Sequence, residues 1–373
     1  MGVSRVDVVV VGGGIAGVSA ASQVAASHSV VLLEQESELA YHTTSRSAAV
    51  YIENEGGPVF HRLSHASRPF FDSSRRSDQP LVTSMPVLSV GDDSMAADLE
   101  AEVAEASTVT PSIRFIEGAE LLELCPALNP EVVTAGMFED TAGSIDVMAV
   151  HQVFLRTARE FGAEVWRSAK LTSAIRHSGS WHIETAAGAI EAKILVNAAG
   201  AWGDVVASRS RVQPVGLTPK RRTAFTSPVR TDPSEWPFIY SGIAGLECYF
   251  KPESGNQLLC SLADEGPSEP CDAKPEEIDI ALAIDRINTV SNVGLRSVAT
   301  TWAGLRTFAP DRNPVFGWDD QVDDFLWMVG QGGCGIVTSP IAGEIAGALV
   351  RGETLPVAVR ELGLTAESLA PRR

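Results

Sequence analysis

The chain has 373 residues, of which 45% are hydrophobic and 20% are charged, and its formal net charge is −18. This length allows a large core and two lobes, and the composition is that of a globular protein rather than a disordered chain. The excess of acidic residues disfavours nucleic acids and anionic membrane surfaces as partners, because both are polyanions.

The five cysteines are scattered along the chain and form no CxxC pair. This pattern is typical of reduced thiols in the cytosol and supports neither a disulfide framework nor a metal site. A strand begins almost at the N-terminus, without the basic and apolar segments of a signal peptide, and no apolar run reaches about 18 residues. We therefore expect a cytoplasmic protein with no metal and no membrane span.

The first 34 residues form a recognisable unit. An apolar strand, Asp7–Val11, leads into the segment GGGIAG, and a second apolar strand ends at Glu34. In such a β-turn-α-β unit the glycines allow a tight turn, a close approach to a pyrophosphate, and close packing of helix on strand. The helix N-terminus offers N–H groups to phosphates, and the acid is spaced to bond a ribose hydroxyl. The residues expected to contact a dinucleotide here are Gly12, Gly14, Ile15, Ala16, Gly17 and Glu34.

Hydrophobic periodicity predicts the remaining elements in chain order. Helices are expected at 59–72, 94–106 and 151–161, with a strand at 81–90; Pro69 leaves the end of the first of these helices uncertain. Short strands are expected at 164–166, 171–177, 181–185 and 190–198, before a β-rich stretch at 211–272 and a helix at 275–288. The C-terminal part returns to a strand at 325–329, a glycine turn at 331–335 and a helix at 336–350.

Nucleotide-type segments thus occur at the start, in the middle and near the end of the chain, with β-rich stretches between them. We therefore predict an α/β fold in which a Rossmann-like domain is interrupted by an inserted, sheet-rich α+β domain. The nucleotide-binding domain is expected at 1–80, 145–210 and 300–373, and the substrate-binding domain at 81–144 and 211–299.

Two further glycine motifs favour FAD over NAD as the cofactor. The segment Leu195–Trp202 follows one strand, and Gln331–Ile336 precedes the last long helix. Close backbone approach at several strand ends suits a bulky cofactor that runs across the whole sheet. A helix N-terminus at Ile336 would also place positive charge near the N1–C2=O edge of a reduced flavin.

Four segments resemble the D-amino-acid oxidase family of flavoproteins, which includes sarcosine and glycine oxidases. They are Tyr41–Ala49, Pro219–Arg222, Trp302–Arg306 and Gln331–Ser339. Within that family the chain is most similar to the bacterial D-arginine dehydrogenases, over almost its whole length. The resemblance implies a Rossmann-like FAD-binding domain of the GR2 type.

The resemblance also implies a set of cofactor contacts beyond the first glycine motif. Where sarcosine oxidases attach the flavin to a cysteine, this chain has Gly304, so non-covalent FAD is expected. The implied contacts are Thr44, Arg46, Ser47, Ala48, Ala199, Gly200, Trp202, Arg306, Gly332, Gly333, Gly335, Ile336 and Thr338.

Oxidation of an amino acid requires an anchor for the carboxylate, a neutral amine, and a Cα–H aimed at flavin N5. A bidentate arginine is the best carboxylate anchor. The resemblance places Arg222, Arg306 and the Tyr249 hydroxyl in this catalytic role. The alternative for Arg222 is a solvated edge, because Arg221 is its neighbour.

The resemblance places the walls of the side-chain pocket at Val50, Ile52, Glu55, Val87, Phe238, Tyr240, Gly304 and Val337. The acid that pairs with the substrate guanidinium in D-arginine dehydrogenases corresponds to Val87. Since an apolar pocket does not solvate a charge, we expect an uncharged, apolar or aromatic side chain. Glu55 is the counter-evidence. It lies in a segment, Glu53–Gly57, that reads as a mobile lid, although a solvated loop acid is the alternative.

The expected reaction is hydride transfer from Cα to flavin N5, after which the imino acid hydrolyses to a 2-oxo acid and ammonia. His42 is a candidate base, but a structural histidine beside the cofactor is the preferred interpretation. Leu258 corresponds to a lysine that activates oxygen in sarcosine oxidases, which favours a quinone or another acceptor over O2.

Several alternatives remain open from the sequence. Within the same fold, the protein could be an oxidase that uses O2, or could oxidise secondary amines such as sarcosine or proline-like compounds, or 2-hydroxy acids. A non-catalytic flavin-binding module and a role in tRNA modification belong to other classes. The acidic balance argues against RNA, and the retained arginines and tyrosine argue against an empty binder.

Overall fold

The computed structural model describes residues 4–76 and 79–372. Within these residues, the α-helices are Ile15–Val24, Pro58–Ser73, Ala96–Ala106, Ala119–Leu124, Val147–Glu160, Gly203–Arg209, Glu277–Val290, Ser339–Val350, Val357–Glu361 and Ala366–Leu369. Short 3-10 turns occur at Thr44–Arg46 and Gly200–Trp202. None of the described helices is long and apolar enough to cross a membrane.

One large sheet carries the expected nucleotide-binding topology. Its strands are, in spatial order, Glu164–Trp166, Val30–Leu33, Ser4–Val11, Gly188–Asn197, Ser180–Thr185 and Leu171–His177; Phe325–Val329 also pairs with Gly188–Asn197, and Val315–Trp318 pairs with Phe325–Val329. The strands around Ser4–Val11 run parallel. Residues 8–11 are buried, as expected for a parallel strand that is covered on both faces. Together with a second, antiparallel-rich sheet, this arrangement confirms the predicted α/β class.

The second large sheet is mixed and mostly antiparallel. In spatial order its strands are Gln331–Gly332, Thr300–Phe308, Thr218–Pro228, Gln257–Ser261, Cys248–Glu253, Phe238–Ser241, Val87–Gly91, Ala135–Glu139 and Arg114–Glu117, with Gly266–Pro267 paired to Thr218–Pro228. One face packs on helix Glu277–Val290, where Phe225, Phe250 and Leu258 are buried. The side chains on the other face line a cavity, which is described below.

Smaller strand pairs complete the β-structure among the described residues. A three-stranded sheet joins Val50–Tyr51, Gly143–Ile145 and Val82–Ser84, and a two-stranded ribbon joins Arg75–Arg76 and Gln79–Pro80. The expected strand at 81–90 is therefore two strands, which belong to different sheets. Pro86 lies between them and has no N–H to donate to a ladder.

Two element boundaries differ from the sequence-based expectation. Helix Pro58–Ser73 continues through Pro69, because it packs on helix Ser339–Val350 and buries Phe71. That second helix begins at Ser339 rather than at 336, since residues 334–338 form turns. The predicted division into domains stays a prediction. One strand within its third nucleotide-binding segment, Thr300–Phe308, pairs in the second sheet.

Candidate functional site

Two cavities meet between the two large sheets. We call the first the glycine cavity, because all three glycine motifs line it along the carboxyl ends of the parallel strands. We call the second the sheet cavity, because its floor is the open face of the second sheet. Both cavities are lined by Ser47, Ala48, Arg222, Tyr249, Arg306 and Gly333, so these residues mark the junction.

The first glycine motif brings helix and strand into direct backbone contact. Gly12 has φ +116°, and a Cβ atom there would lie 2.4 Å from the carbonyl oxygen of Ala198. A Cβ atom on Gly17 would lie 1.7 Å from the carbonyl oxygen of Gly12. Only glycine fits at either position, so the tight turn and the close packing that the motif predicts are both present.

The entrance to helix Ile15–Val24 is held by a small hydrogen-bond network. The backbone N–H of Gly13 donates to Glu34 Oε2 at 2.9 Å, and Thr44 Oγ1 accepts from the N–H of Ile15 at 3.0 Å. The carbonyl oxygen of Gly13 accepts from Nε2 of buried His151 at 3.0 Å. Burial raises the pKa of Glu34 above its usual value, although backbone N–H groups oppose that shift. The network fixes the Gly12–Gly14 loop against Glu34, and Glu34 lines the glycine cavity.

The glycine cavity has the features that a bound dinucleotide would use. It runs past the ends of four parallel strands, where open α/β sheets bind such ligands. His42 Nδ1 and Gln331 Nε2 are buried, line this cavity and find no hydrogen-bond partner among residues 4–76 and 79–372. Unpaired buried polar atoms are costly, so a ligand with donors and acceptors fits here.

Most of the predicted cofactor residues line the glycine cavity. Two do not: Gly17 packs against the strand, and Thr338 is fully buried and donates to the carbonyl oxygen of Cys334. The guanidinium of Arg46 is bonded to Asp272 and to two backbone carbonyl groups. The predicted residues that line the cavity are Gly12, Gly14, Ile15, Ala16, Glu34, Thr44, Arg46, Ser47, Ala48, Ala199, Gly200, Trp202, Arg306, Gly332, Gly333, Gly335 and Ile336.

The expected helix N-terminus at Ile336 is absent. Residues 334–338 form consecutive turns, in which the N–H of Thr338 already donates to the carbonyl oxygen of Cys334, and the helix starts at Ser339. Ile336 therefore lines the glycine cavity from a turn. Any positive field near this end of a flavin would come from that turn rather than from the first residue of a helix.

The sheet cavity collects side chains that alternate along neighbouring strands. Val87 pairs in register with Phe238 on one side and with Glu139 on the other, so all three share a face. The rings of Phe238 and Tyr249 stack with centroids 5.3 Å apart. The predicted pocket residues that line the sheet cavity are Val50, Ile52, Glu55, Val87, Phe238 and Tyr240.

Two predicted pocket residues lie elsewhere. Gly304 lines the glycine cavity, close to Arg46, and is not among the residues that line the sheet cavity. Val337 lines neither cavity and is buried in the core beneath the first sheet. The turn at 334–338 directs this side chain inward, so the expectation that it forms a pocket wall is wrong.

Two half-buried arginines converge at the junction. Arg222 Nε donates to the carbonyl oxygen of Asp264 at 2.7 Å, and its guanidinium carbon lies 5.9 Å from the centroid of the Tyr249 ring. Burial, and then repulsion by Arg306, lower the pKa of Arg222. Asp264 and Glu265 lie 3.9 and 3.8 Å from the Arg222 guanidinium, but the repulsion between Arg222 and Arg306 still favours a further anionic ligand.

The structure separates the adjacent arginines Arg221 and Arg222. Because side chains alternate along a strand, Arg222 faces the cavities while Arg221 faces away. Arg221 pairs with Glu276 and Asp279 on the other side and lines neither cavity. The solvated-edge interpretation therefore describes Arg221.

Two residues considered for catalysis lie away from the junction. His42 Nε2 is 3.0 Å from Glu36 Oε1, and its ring packs on Trp202 in the glycine cavity, with centroids 4.5 Å apart. Leu258 is fully buried in the core on the opposite face of the second sheet. The expectation that position 258 faces the cofactor is therefore wrong, and this residue carries no information about the electron acceptor.

The sequence reasoning missed Glu139, which lines the sheet cavity and is only 2% exposed. Its carboxylate accepts from the backbone N–H groups of Glu53 and Asn54, at 2.7 and 3.4 Å. An acid at an inward position of the apolar segment AGMFE was the available signal. Recognising it required knowing which strands lie side by side.

Comparison with known proteins gives a consistent result. The model of the family described as "FAD dependent oxidoreductase" matches residues 7–349. A hydrogen cyanide synthase subunit from Pseudomonas aeruginosa is 25% identical to this chain over a region that covers 72% of this chain and 63% of that relative. A glycine oxidase from Bacillus licheniformis is 24% identical over 93% of the chain and 94% of its own length.

A solved structure shows the same fold. The L-proline dehydrogenase from P. horikoshii superposes with a TM-score of 0.82 and 20% identity, covering 97% of this chain and all of that one. At this identity the likeness concerns the fold alone.

Proposed function

The chain belongs to the FAD dependent oxidoreductase family, and from this premise we propose that it oxidises the Cα–N bond of an amino acid. The product would be an imino acid, which water converts to a 2-oxo acid and ammonia. The resemblance to the D-amino-acid oxidase family is thereby confirmed, whereas the closer likeness to D-arginine dehydrogenases stays a prediction. Since the chain spans less than two thirds of the cyanide synthase subunit, that relative's activity is not transferred.

FAD is the family's cofactor and supplies, when bound, a two-electron acceptor for the Cα hydrogen. Residues of the glycine cavity would hold it, with the loop at Gly12–Gly14 on the pyrophosphate and Glu34 on the ribose. Among the described residues that line this cavity there is no cysteine, and Gly304 leaves space rather than a nucleophile. These observations support non-covalent binding.

The observation that carries the proposal is the pair of half-buried arginines at the junction. Arg222 and Arg306 would bind the substrate carboxylate, and the Tyr249 hydroxyl would add a donor. Because these groups line both cavities, a carboxylate anchored there holds its Cα at the boundary between cofactor and substrate spaces. The fixed geometry would orient one Cα–H toward the cofactor, which is the main catalytic contribution of a positioning site.

The walls next to this anchor support an apolar stem on the substrate side chain. Val87, Phe238 and Tyr249 pack together there with Ala48 and Val50. Such walls exclude water from the reacting centre and offer no charge. No histidine is among the described residues that line the sheet cavity, so we propose that the amine loses its proton to solvent before the reaction. We also propose the D configuration, which the resemblance implies.

The relatives' names support the class of bond that is oxidised. Glycine oxidase is named for a primary amine and L-proline dehydrogenase for a secondary one, and both substrates place a carboxylate beside a C–N bond. The sheet cavity encloses about 440 Å³, so it has room for a substrate larger than glycine. A secondary amine is thus the second candidate substrate, with the same anchor.

The decisive experiment is to mix the purified yellow protein anaerobically with a panel of compounds and to follow the visible flavin absorbance. The panel holds both enantiomers of each amino acid, proline, sarcosine and a set of 2-hydroxy acids. Bleaching by D-amino acids supports the proposal, and bleaching only by secondary amines supports the second candidate.

The same mixtures also test the remaining alternatives. Rapid return of the yellow colour on admitting air indicates an oxidase, whereas return only with a quinone indicates a dehydrogenase. Bleaching by hydroxy acids alone, or by no compound, would reject oxidation of the C–N bond.

A further inference from the structure

Glu139 is a buried carboxyl group in the wall of the sheet cavity. It ends strand Ala135–Glu139, and only 2% of the residue is exposed. Its oxygens accept from the backbone N–H groups of Glu53 and Asn54, the second bond being long at 3.4 Å. Among residues 4–76 and 79–372 it has no cationic partner within ion-pair distance. A buried acid without a cation is uncommon unless a ligand supplies the missing partner.

The acids around Glu139, Glu53 and Glu55, each have a cationic partner of their own: Arg68 Nη1 lies 3.7 Å from Glu53 Oε1, and Arg306 Nη1 lies 3.4 Å from Glu55 Oε1. Burial, and then the nearby carboxylates of Glu53 and Glu55, raise the pKa of Glu139 to about 7. Tyr51, Thr110 and His65 are already hydrogen-bonded to Glu53, so they are not available as partners for Glu139. A hydrogen-bond donor or a cation placed in the cavity would therefore meet an acceptor that lacks any protein cation.

The sheet cavity is polarised along its length. The arginine end lies over Tyr249, and Glu139 lies three strands away, past the strands that carry Phe238 and Val87. At a strand spacing of about 4.8 Å, the strand that carries Tyr249 and the strand that carries Glu139 are roughly 14 Å apart. On the sheet face the side chains between them, Phe238 and Val87, are apolar, and Glu55, which pairs with Arg306, also lines the cavity. The cavity thus offers an arginine end, an apolar stretch of sheet and an acceptor end.

The pairing of strands Val87–Gly91 and Ala135–Glu139 also changes what Val87 implies about the substrate. The absence of an acid at position 87 predicted an uncharged substrate. Glu139 is the direct cross-strand partner of Val87 on the same face, and such partners have Cβ atoms about 5 Å apart. The acid missing from one strand is thus present on its neighbour, somewhat farther from the arginines.

We propose that Glu139 accepts a hydrogen bond from the end of the substrate side chain. The substrate class is then a long α-amino acid whose apolar or aromatic stem ends in an N–H or O–H donor. This inference rests on the proposed function, because it places the α-carboxylate on Arg222 and Arg306. It replaces the expectation of an uncharged, apolar or aromatic side chain with that of an apolar or aromatic stem and a polar tip.

The test uses pairs of amino acids that differ only at the tip: lysine against norleucine, and tyrosine against phenylalanine, each as both enantiomers. For the holoenzyme we expect the donor member of at least one pair to have a kcat/KM at least tenfold higher than its partner. The lysine pair reports a cationic donor and the tyrosine pair a neutral one. Equal kcat/KM values within both pairs would overturn the inference while leaving the proposed function intact.

The variant Glu139→Gln then separates recognition from structure. If Glu139 only holds the loop at Glu53 and Asn54, the variant lowers kcat/KM equally for both members of a pair. If it recognises the tip, the ratio within the pair falls at least threefold. The matched control is Glu117→Gln, an exposed acid on the neighbouring strand that lines neither cavity, and its ratio should equal that of the wild type.

Two outcomes outside this comparison are also informative. If Glu139→Gln loses FAD, the variant Glu139→Asp keeps the charge but withdraws it by one methylene, and the ratio should again fall at least threefold. An unchanged ratio in that variant contradicts the inference. If no amino acid bleaches the wild-type flavin, the proposed function fails first and this inference falls with it.

Discussion

Arg306 Nη1 lies 3.4 Å from Glu55 Oε1, so the arginine that we propose as a carboxylate anchor already faces a carboxylate of the protein. Glu55 lies in the loop Glu53–Gly57, where Gly56 and Gly57 both have positive φ angles. A substrate carboxylate that binds Arg306 must therefore displace Glu55 or share the guanidinium with it.

The first prediction concerns this competition. The variant Glu55→Gln should lower KM for the amino-acid substrate about 1.4- to fivefold at unchanged kcat, because a partly exposed ion pair contributes about 0.2–1 kcal/mol. Steady-state kinetics at several ionic strengths check it, and the advantage of the variant should shrink as salt screens the wild-type pair. An increase in KM would show instead that Glu55 helps to bind the substrate.

The second prediction compares the two kinds of arginine. Arg306→Lys keeps the charge but loses the planar fork, so kcat/KM should fall roughly 10- to 150-fold, since a hydrogen bond to a charged group contributes about 1.5–3 kcal/mol. Arg221→Lys is the control, because Arg221 pairs with Glu276 away from both cavities; its kcat/KM should change less than twofold. Equal effects of the two variants would remove Arg306 from the anchor.

The third prediction tests the first glycine motif. Gly17→Ala should yield protein with little bound FAD and a lower Tm, because its Cβ would lie 1.7 Å from the Gly12 carbonyl oxygen and only a backbone shift can relieve the contact. The flavin-to-protein absorbance ratio after purification measures the loss. Gly162→Ala is the control: its φ is +86° and the space around it is open. It should cost about 1–2 kcal/mol of stability yet retain FAD.

The fourth prediction follows from the raised pKa of Glu139, about 7, which burial causes. Below pH 7 the group is mostly protonated and neutral, and above pH 7 it is a carboxylate. The lysine side chain stays charged throughout this range. The ratio of kcat/KM for lysine over norleucine should therefore rise as pH increases from 6 to 8. Deprotonation of the α-amine affects both substrates alike and cancels in the ratio.

A flat ratio between pH 6 and 8 would mean that Glu139 does not interact with the side-chain ammonium. The variant Glu139→Gln supplies the reference profile, since it has no carboxyl to titrate. A rise that persists in this variant would have to be assigned to another group, and the adjacent carboxylates Glu53 and Glu55 are the first to examine.

The parts of the site that sequence predicted well are those that local chain chemistry determines. The turn at Gly12 and the contact at Gly17 depend on residues within one β-turn-α-β unit, so their spacing was sufficient. Family motifs likewise indicated Arg222 and Arg306, which line both cavities, whereas their role at the substrate stays a prediction. The start of the last helix was misplaced, because Gly335–Thr338 has the composition of a helix start but forms turns.

The parts that sequence could not supply depend on pairing between distant segments. Glu139 matters because its strand lies beside Val87, and Val87 because its strand lies beside Phe238, 151 positions later. Leu258 was misjudged for a related reason: a one-residue shift along a strand moves a side chain to the opposite face. Short alignments do not fix that register, whereas the paired sheet does.

The strand Thr300–Phe308 has a practical consequence for altering this protein. Its alternate residues Gly304, Arg306 and Phe308 line, in turn, the glycine cavity, the junction and the sheet cavity. Inserting or deleting one residue before Gly304 would turn all three side chains to the opposite face of the sheet. The glycine cavity would then lose the open space at Gly304, and the junction would lose the proposed carboxylate anchor. Directed evolution of this scaffold should therefore exchange single side chains at the inward positions of Val87–Gly91, Ala135–Glu139 and Phe238–Ser241, and leave the length of Thr300–Phe308 untouched.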